Sequence, residues 1–421
     1  MSRQGRRIRN QARELLKKEE ALADPDLARP SLQKKKPKRD SFLVRYGRFQ
    51  ETNARSAYLV IPGEIEDLGE ELQRLAESLG LEVCGKKILK SGRRITGATF
   101  IGQGTIDEIR KNLEGFEDPI LIIDYKLSPG QTRNLENALK IPVLDRHTMI
   151  LAIFKRNAKS GVAKLQVELA ELQLLKSRLA GVWEGLSRQR GAAGGKSGRG
   201  LGETRLELDR RTLRGRIDII RKRLLSAEKA FHTQSKSRSK FSRVALVGYT
   251  NAGKSSIMSL LTQSKVHVED RLFATLDTTI RALEPQTDPK ILISDTVGFV
   301  RDLPTELVAS FKSTLLEATL SQLLLHVVDI SDSRWREQVE VTQKTLEEIG
   351  AGEIPCIYVF NKVDLMESNQ RIRAAEIRRY LGPVDFLLTS TLPSSDGKES
   401  IEALKEKIKA QLLEKDLKTL D

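Results

Sequence analysis

Gly248-Tyr249-Thr250-Asn251-Ala252-Gly253-Lys254-Ser255 has the form G-x-x-x-x-G-K-[ST], and its flanks decide how it reads. Before it, Val244-Ala245-Leu246-Val247 is a short apolar run suited to a buried strand; after it, Ser256-Ile257-Met258-Ser259-Leu260-Leu261 suits a first helix. Strand, glycine loop and helix in that order make a phosphate cradle. The glycines let backbone N–H groups curl around an anion, and the helix N-terminus adds its positive dipole end. In that setting Lys254 is expected to reach the β- and γ-phosphates of a nucleotide, and Ser255 to hold Mg²⁺.

A second stretch selects the base. Asn361-Lys362-Val363-Asp364 follows the apolar run Cys356-Ile357-Tyr358-Val359-Phe360. A carboxylate just past a strand end can accept both the N1–H and the 2-amino group of guanine, a donor pair that adenine lacks. Asp364 is the candidate for that contact, with Asn361 holding the purine edge and the loop. Phe386-Leu387-Leu388-Thr389-Ser390-Thr391 reads as a strand ending in small polar residues whose backbone could meet the guanine O6.

Between these stretches, Lys290-Ile291-Leu292-Ile293-Ser294-Asp295-Thr296-Val297-Gly298 is a strand ending in Asp-x-x-Gly. Asp295 can reach the Mg²⁺ shell, through water, and the Gly298 N–H can touch the γ-phosphate. A contact made only with the γ-phosphate turns the following segment into a switch. Phe273-Ala274-Thr275-Leu276-Asp277-Thr278-Thr279 stands where a second switch loop belongs. One threonine there should complete the Mg²⁺ shell; Thr275 is the choice, and spacing alone also admits Thr278 or Thr279. Many small GTPases carry a glutamine after the Asp-x-x-Gly glycine to orient the attacking water. Phe299 stands there instead, which predicts slow intrinsic hydrolysis raised by a partner or by another group. Asn251 offers two readings, one holding a K⁺ ion beside the phosphates and the other bracing the loop.

The 421 residues imply two or three domains, each able to bury a core. The net charge of +15 points to an anionic macromolecular partner, nucleic acid before membrane surface. An aromatic content of 5% disfavours a base-stacking platform. Cys84 and Cys356 lie in separate strand-like runs and make neither a disulfide framework nor a metal cluster, as expected in a reducing cytoplasm. No apolar run is long enough to span a bilayer, and the start of the chain has no apolar signal-peptide core.

Residues 1–50 read as a basic, disordered tail. From 55 to 147 strands alternate with helices, predicting a small α/β domain with a largely parallel sheet. Its clearest boundary is Ser128-Pro129, an N-cap and first-turn pair that opens a helix through Leu139. His147 follows a strand end but has no visible nucleophile or metal partner, so a structural role is expected. From 148 to 240 the pattern turns helical. Leu165, Leu169, Leu172, Leu175 and Leu179 form one apolar stripe, and Leu213, Ile217, Ile220 and Leu224 form another. A glycine-rich basic loop over about 187–203 joins them into an antiparallel hairpin. Arg188, Arg190, Lys196 and Arg199 at its tip are candidate phosphate contacts to RNA; the plainer reading is a flexible linker. From 241 to 412 the motifs and alternation predict a doubly wound α/β domain with nucleotide at the strand C-terminal ends, and 413–421 a charged tail.

From about Tyr58 to Leu412 the chain resembles the HflX family of ribosome-associated GTPases, within the Obg–HflX group. The residues that carry the resemblance are Gly248–Ser255, Leu272-Phe273-Ala274-Thr275-Leu276-Asp277, Asp295-Thr296-Val297-Gly298-Phe299 and Leu303-Pro304. More specific are Leu127-Ser128-Pro129-Gly130-Gln131-Thr132-Arg133-Asn134-Leu135-Glu136, Asp145-Arg146, Lys164-Leu165-Gln166-Val167-Glu168-Leu169-Ala170 and Gly202-Glu203-Thr204 before Asp209-Arg210-Arg211. The resemblance implies a GTPase that binds GTP and GDP and the large ribosomal subunit with its rRNA; a cytoplasmic monomer is expected. It implies that the hairpin loop reaches toward the peptidyl-transferase region, that binding splits stalled ribosomes, and that the ribosome stimulates hydrolysis. It assigns Mg²⁺ to the positions of Ser255 and Thr275. Some members of the family tolerate ATP, so ATP use stays open. The chain departs from the family at Thr278 (usually proline), at Leu201 in a Gly198–Thr204 run that lacks the usual proline, and at Arg156-Asn157-Ala158. These departures touch the switch and the loop tip, and so bear on splitting. The alternatives are a GTP-controlled rRNA-binding module in large-subunit maturation and a membrane-surface regulator acting through the basic tail.

Overall fold

The computed structural model describes residues 56–418 except 64–65, 91–95, 192–201, 238–239, 263–271, 274–277, 285–289, 305–306, 308–316, 367–369 and 393–394. The expected tail at 1–50 lies outside these residues. The first domain is a parallel sheet of β1 (Ser56–Pro62), β2 (Glu82–Leu89), β3 (Ile120–Ile123) and β4 (Val143–Asp145) in the order β2-β1-β3-β4. The inner strands β1 and β3 are buried on both sides because helices cover both faces, whereas the edge strand β2 carries exposed Glu82 and Lys86. Tyr58 and Val60 of β1 meet Ile106, Ile109, Leu135 and Leu139 from α2 (Gln103–Asn112) and α3 (Pro129–Leu139). The alternate side of β1 faces α1 (Glu66–Ser78), where a Cβ on Gly69 would come within 3.1 Å of Ile61. α3 begins where Ser128-Pro129 predicts. Ser128 Oγ accepts from the Gln131 N–H and the Gln131 side chain accepts from the Ser128 N–H, a reciprocal capping box.

α4 (Arg146–Asn157) packs on β3, β4 and α1, so the first domain continues through Asn157 rather than ending at 147. Its start is capped by Asp145, which accepts from the Thr148 N–H at 2.9 Å. His147 is buried in its first turn.

The hairpin is α5 (Gly161–Gly191) and α6 (Gly202–Ser237). Leu169, Ile217, Ile220 and Leu224 bury together with Leu165 and Leu172 against them, each aliphatic worth about 1.5–3 kcal/mol. Both helices run further than expected. Ser187-Arg188-Gln189-Arg190 contains no breaker, so the helix propagates until the glycines begin. Arg188 and Arg190 therefore sit in the last turn of α5 rather than in the loop, and Lys196 and Arg199 lie outside the described residues. At its root, Arg178 donates to both carboxylate oxygens of Asp145 at 2.9 Å, tying the hairpin to the first domain.

The second sheet has the order β10-β9-β8-β5-β7-β6. It comprises β5 (Ser242–Gly248), β6 (Thr279–Ala282), β7 (Ile291–Asp295), β8 (Leu323–Asp329), β9 (Cys356–Asn361) and β10 (Phe386–Leu388). All neighbours are parallel except the antiparallel edge strand β6. One face is covered by α7 (Lys254–Thr262) and α10 (Ser395–Lys418), the other by α8 (Trp335–Glu348) and α9 (Gln370–Leu381). This is the doubly wound arrangement the motifs predict. Leu412 is the last core residue of α10, which is why the apolar pattern ends there, yet the helix continues to Lys418 through the expected tail.

Candidate nucleotide site

The Gly248–Ser255 loop leaves the C-terminal end of β5 and enters α7 at Lys254. Two glycines are imposed by space. A Cβ on Gly248 (φ +145°) would lie 2.1 Å from the Val327 carbonyl oxygen, and one on Gly253 (φ +94°) would lie 2.2 Å from Asn361 Nδ2. That same Nδ2 donates to the Ala252 carbonyl at 3.0 Å, so Asn361 binds the loop to the end of β9. Asn251 takes φ 62°, a left-handed conformation that asparagine tolerates.

Lys254 is buried and donates to the Gly248 and Tyr249 carbonyls at 3.1 and 2.8 Å. Burial lowers its ammonium to a pKa of about 8, with the Asp295 carboxylate opposing. Ser255 Oγ donates to Asp295 Oδ2 at 2.6 Å. A hydroxyl and a carboxylate side by side are the hard oxygen donors Mg²⁺ takes, so this pair fits the expected metal. Thr275, with Ala274, Leu276 and Asp277, lies outside the described residues. Thr278 is half-buried just before β6. Among the described residues no group of three His, Cys, Asp or Glu side chains is arranged for a metal.

Asp295 ends β7, and Thr296 Oγ1 donates to the Leu246 carbonyl at 2.7 Å, pinning β7 to β5. Val297 is buried, and Gly298 lies directly over the loop. A Cβ on Gly298 would meet Thr250 Cα at 2.7 Å and Lys254 Nζ at 2.9 Å. Phe299 then pairs with the loop as a short parallel bridge: its N–H donates to the Gly248 carbonyl at 3.1 Å, and its carbonyl accepts from the Thr250 N–H at 2.7 Å. The Phe299 ring points into the core among Ala245, Val247, Leu324 and Leu346. The residue that could not orient water by its chemistry is thus also turned away by its packing.

Phe273 donates its N–H to Thr250 Oγ1 at 3.0 Å, and its carbonyl accepts from Asn157 of the first domain at 2.8 Å. Its ring stands 4.5 Å from that of Phe154. At the base end, Lys362 adopts φ 63° and pairs with Asp329 at 2.6 Å, and Asp364 sits in one turn of 3₁₀ helix over Val363–Leu365. Asp364 is exposed, and its carboxylate accepts from Ser390 Oγ. Thr389 is buried; its carbonyl accepts from the Val363 N–H at 3.3 Å, and Thr391 follows on the same loop. The structure therefore gathers the four predicted stretches at one edge of the second sheet.

Sequence reasoning missed the ionic cluster behind the loop. Arg146 is 1% exposed and pairs with Glu71 and Asp124, and Tyr249, Arg301 and Arg334 join them. Burial opposes the Arg146 charge, yet Glu71 and Asp124 outweigh it and hold the guanidinium above its ordinary range. Burial likewise raises Glu71, and Arg146 outweighs it, leaving the carboxyl below its usual value. The one signal was the Asp145-Arg146 pair at a strand end, which carried no assigned role.

Three family models match in succession: a GTP-binding GTPase N-terminal region over 66–155, a GTP-binding GTPase middle region over 157–238, and a 50S ribosome-binding GTPase over 243–362. The chain is similar to a protein of Caldanaerobacter subterraneus called GTPase HflX, 43% identical over 306 residues and covering 72% of this chain and 71% of the relative. It is similar to proteins of that name from Magnetococcus marinus, 39% identical over 353 residues (78% and 81%), and Escherichia coli, 42% identical over 313 residues (74% and 72%).

Proposed function

The chain belongs to the HflX family of GTPases, and from that premise we propose that it binds the large ribosomal subunit and uses GTP to split stalled or idle ribosomes. It binds GTP and hydrolyses it to GDP and phosphate. The observation that carries the ribosomal reading is the match of residues 243–362 to a 50S ribosome-binding GTPase, and the basic hairpin supports it. Work in the cytoplasm as a monomer completes the reading. Among the described residues no helix is long and apolar enough to cross a membrane.

In this reading the N–H groups from Asn251 to Ser255 cradle the phosphates and Lys254 leaves its two carbonyls for the β- and γ-oxygens. Asp364 reads the guanine edge, Asn361 and Lys362 hold the purine, and the Thr389–Thr391 backbone meets O6. GTPases of this family generally use Mg²⁺; Ser255 and Thr275 would hold it, with Asp295 acting through water, and it neutralises charge on the phosphate oxygens. The Gly298 N–H meets the γ-phosphate. With the Phe299 ring in the core, no side chain at that position orients water, so turnover is slow until the ribosome stimulates it. Asn251 keeps two readings, holding a K⁺ ion beside the phosphates or bracing the loop, and dependence on the monovalent cation separates them. Turnover severalfold faster in KCl than in NaCl is the expected result, and equal turnover reduces Asn251 to a loop brace.

Sedimentation with purified large subunits and with anionic vesicles, in one salt series, tests the partner. Co-sedimentation with subunits is expected, and preference for vesicles contradicts it. Changing Arg188, Arg190, Lys196 and Arg199 together to Gln should weaken subunit binding. Each phosphate contact contributes roughly 0.7–0.9 to the slope of log affinity against log salt, so four lost contacts flatten it by about 3. An unchanged slope makes the loop a linker.

A further inference from the structure

Phe273 takes a backbone conformation that its side chain disfavours. Its φ is +58°, in the left-handed region, and the residue is 2% exposed. A bulky residue keeps such strain only where its surroundings over-determine it, and strained residues gather at ligand clamps and switches. Here the donor, the acceptor and the ring of Phe273 are all engaged. Its N–H donates to Thr250 Oγ1 at 3.0 Å, and Thr250 is itself buried. Its carbonyl accepts from Asn157 Nδ2 at 2.8 Å, and the same nitrogen stands 3.5 Å from the Leu272 carbonyl oxygen. Its ring lies 4.5 Å from that of Phe154, one turn before Asn157 in α4.

Thr250 is the hub of these contacts. Its N–H donates to the Phe299 carbonyl at 2.7 Å while its hydroxyl takes the Phe273 N–H, so one residue of the phosphate loop holds backbone from both switch stretches. None of the contacts to Phe273 uses the N–H groups from Asn251 to Ser255, which cradle phosphate, so a nucleotide leaves them in place. Thr275 follows two residues later, and two residues of chain reach at most about 7 Å. The point at which Phe273 is pinned therefore limits where the Thr275 hydroxyl can be delivered. Thr250 fixes that point relative to the same loop that presents Ser255, the other hydroxyl expected on Mg²⁺.

We propose that Phe273 is a fixed post for the switch loop that begins with it, and that Thr250 and Asn157 are positioning residues which, by pinning it, set the Mg²⁺ contact of Thr275 in the GTP state. The proposal rests on the reading of Thr275 as a Mg²⁺ ligand and is independent of the ribosomal one.

The test is the gain in affinity that Mg²⁺ gives over EDTA, measured on the full chain for a non-hydrolysable GTP analogue and for GDP. Switch contacts to Mg²⁺ and the γ-phosphate are released in the GDP state, so GDP serves as the internal control. Thr250→Val keeps the shape of the side chain, removes the acceptor and leaves the Phe273 N–H buried and unpaired. The expected result is an Mg²⁺ gain at least about fivefold smaller for the analogue, the low end of the cost of an unpaired buried donor, with the gain for GDP within about twofold of the parent. Thr250→Ser restores the acceptor and should restore the gain. Asn157→Ala should lower the analogue gain by at least about threefold, less than Thr250→Val because water reaches the half-buried amide site. It lies off the phosphate loop and carries the test if Thr250→Val fails to fold. Smaller losses, an equal loss for both nucleotides, or no recovery in Thr250→Ser overturn the proposal. A parent chain that gains nothing from Mg²⁺ would instead undo the metal reading on which the proposal rests.

Discussion

Asp364→Asn should cost at least about 10²-fold in GDP and GTP affinity and bring a gain for xanthine nucleotides. The carboxylate offers two acceptors to guanine's N1–H and 2-amino group. The amide turns one acceptor into a donor, so an N–H₂ group faces the 2-amino group with nothing between them. Losing one arm of a bidentate contact costs about 1–3 kcal/mol, and leaving donors unpaired adds about 1–3 kcal/mol. Xanthine carries a carbonyl at that position and accepts from the new amide. The substitution is nearly isosteric, and Ser390 Oγ, which donates to Asp364 Oδ1, can donate equally to the amide oxygen. Melting should therefore hold while base preference moves. Titrating GDP and xanthosine diphosphate into both proteins decides it; unchanged GDP affinity would show that Asp364 does not read the base, and would reopen ATP as a substrate.

Lys254→Ala should lower GTP turnover by about 10²–10³-fold, the usual loss when one preorganised charge is removed from a transition state. Its Nζ sits within hydrogen-bond reach of two loop carbonyls and beside Gly298, where charge builds on the leaving and transferring phosphates. That ammonium is buried at a desolvation cost, which offsets its two bonds to loop carbonyls, so its removal should change the nucleotide-free fold little. The variant should keep its melting temperature and lose its turnover. Normal turnover would remove the loop from the chemistry.

Legibility followed sequence distance. The phosphate loop, Asp295–Gly298, Asn361–Asp364 and Thr389–Thr391 are each contiguous, so residue types and spacing sufficed to place them at one sheet edge. The start of α3 was readable because a capping box is local, from Ser128 to Gln131. The end of α5 was not, since arginine and glutamine next to the glycines propagate a helix as readily as they end one. Alternation gave the class of the first domain but not that β1 sits between β2 and β3. Least legible was the ionic cluster behind the phosphate loop. Arg146 meets Glu71 across 75 positions and Arg301 across 155, and charged residues so far apart carry no periodic or motif signal. Only the folded chain brings them together.

The central claim is that the GTP state acts on assembled ribosomes. It is tested most directly by a sucrose-gradient profile of assembled ribosomes incubated with this protein and GTP, GDP or a non-hydrolysable GTP analogue. Separation into subunits with GTP and with the analogue, but not with GDP, is the predicted result. Intact ribosomes under all three conditions, with the protein running on free large subunits, would contradict splitting and leave the GTP-controlled rRNA-binding module in its place.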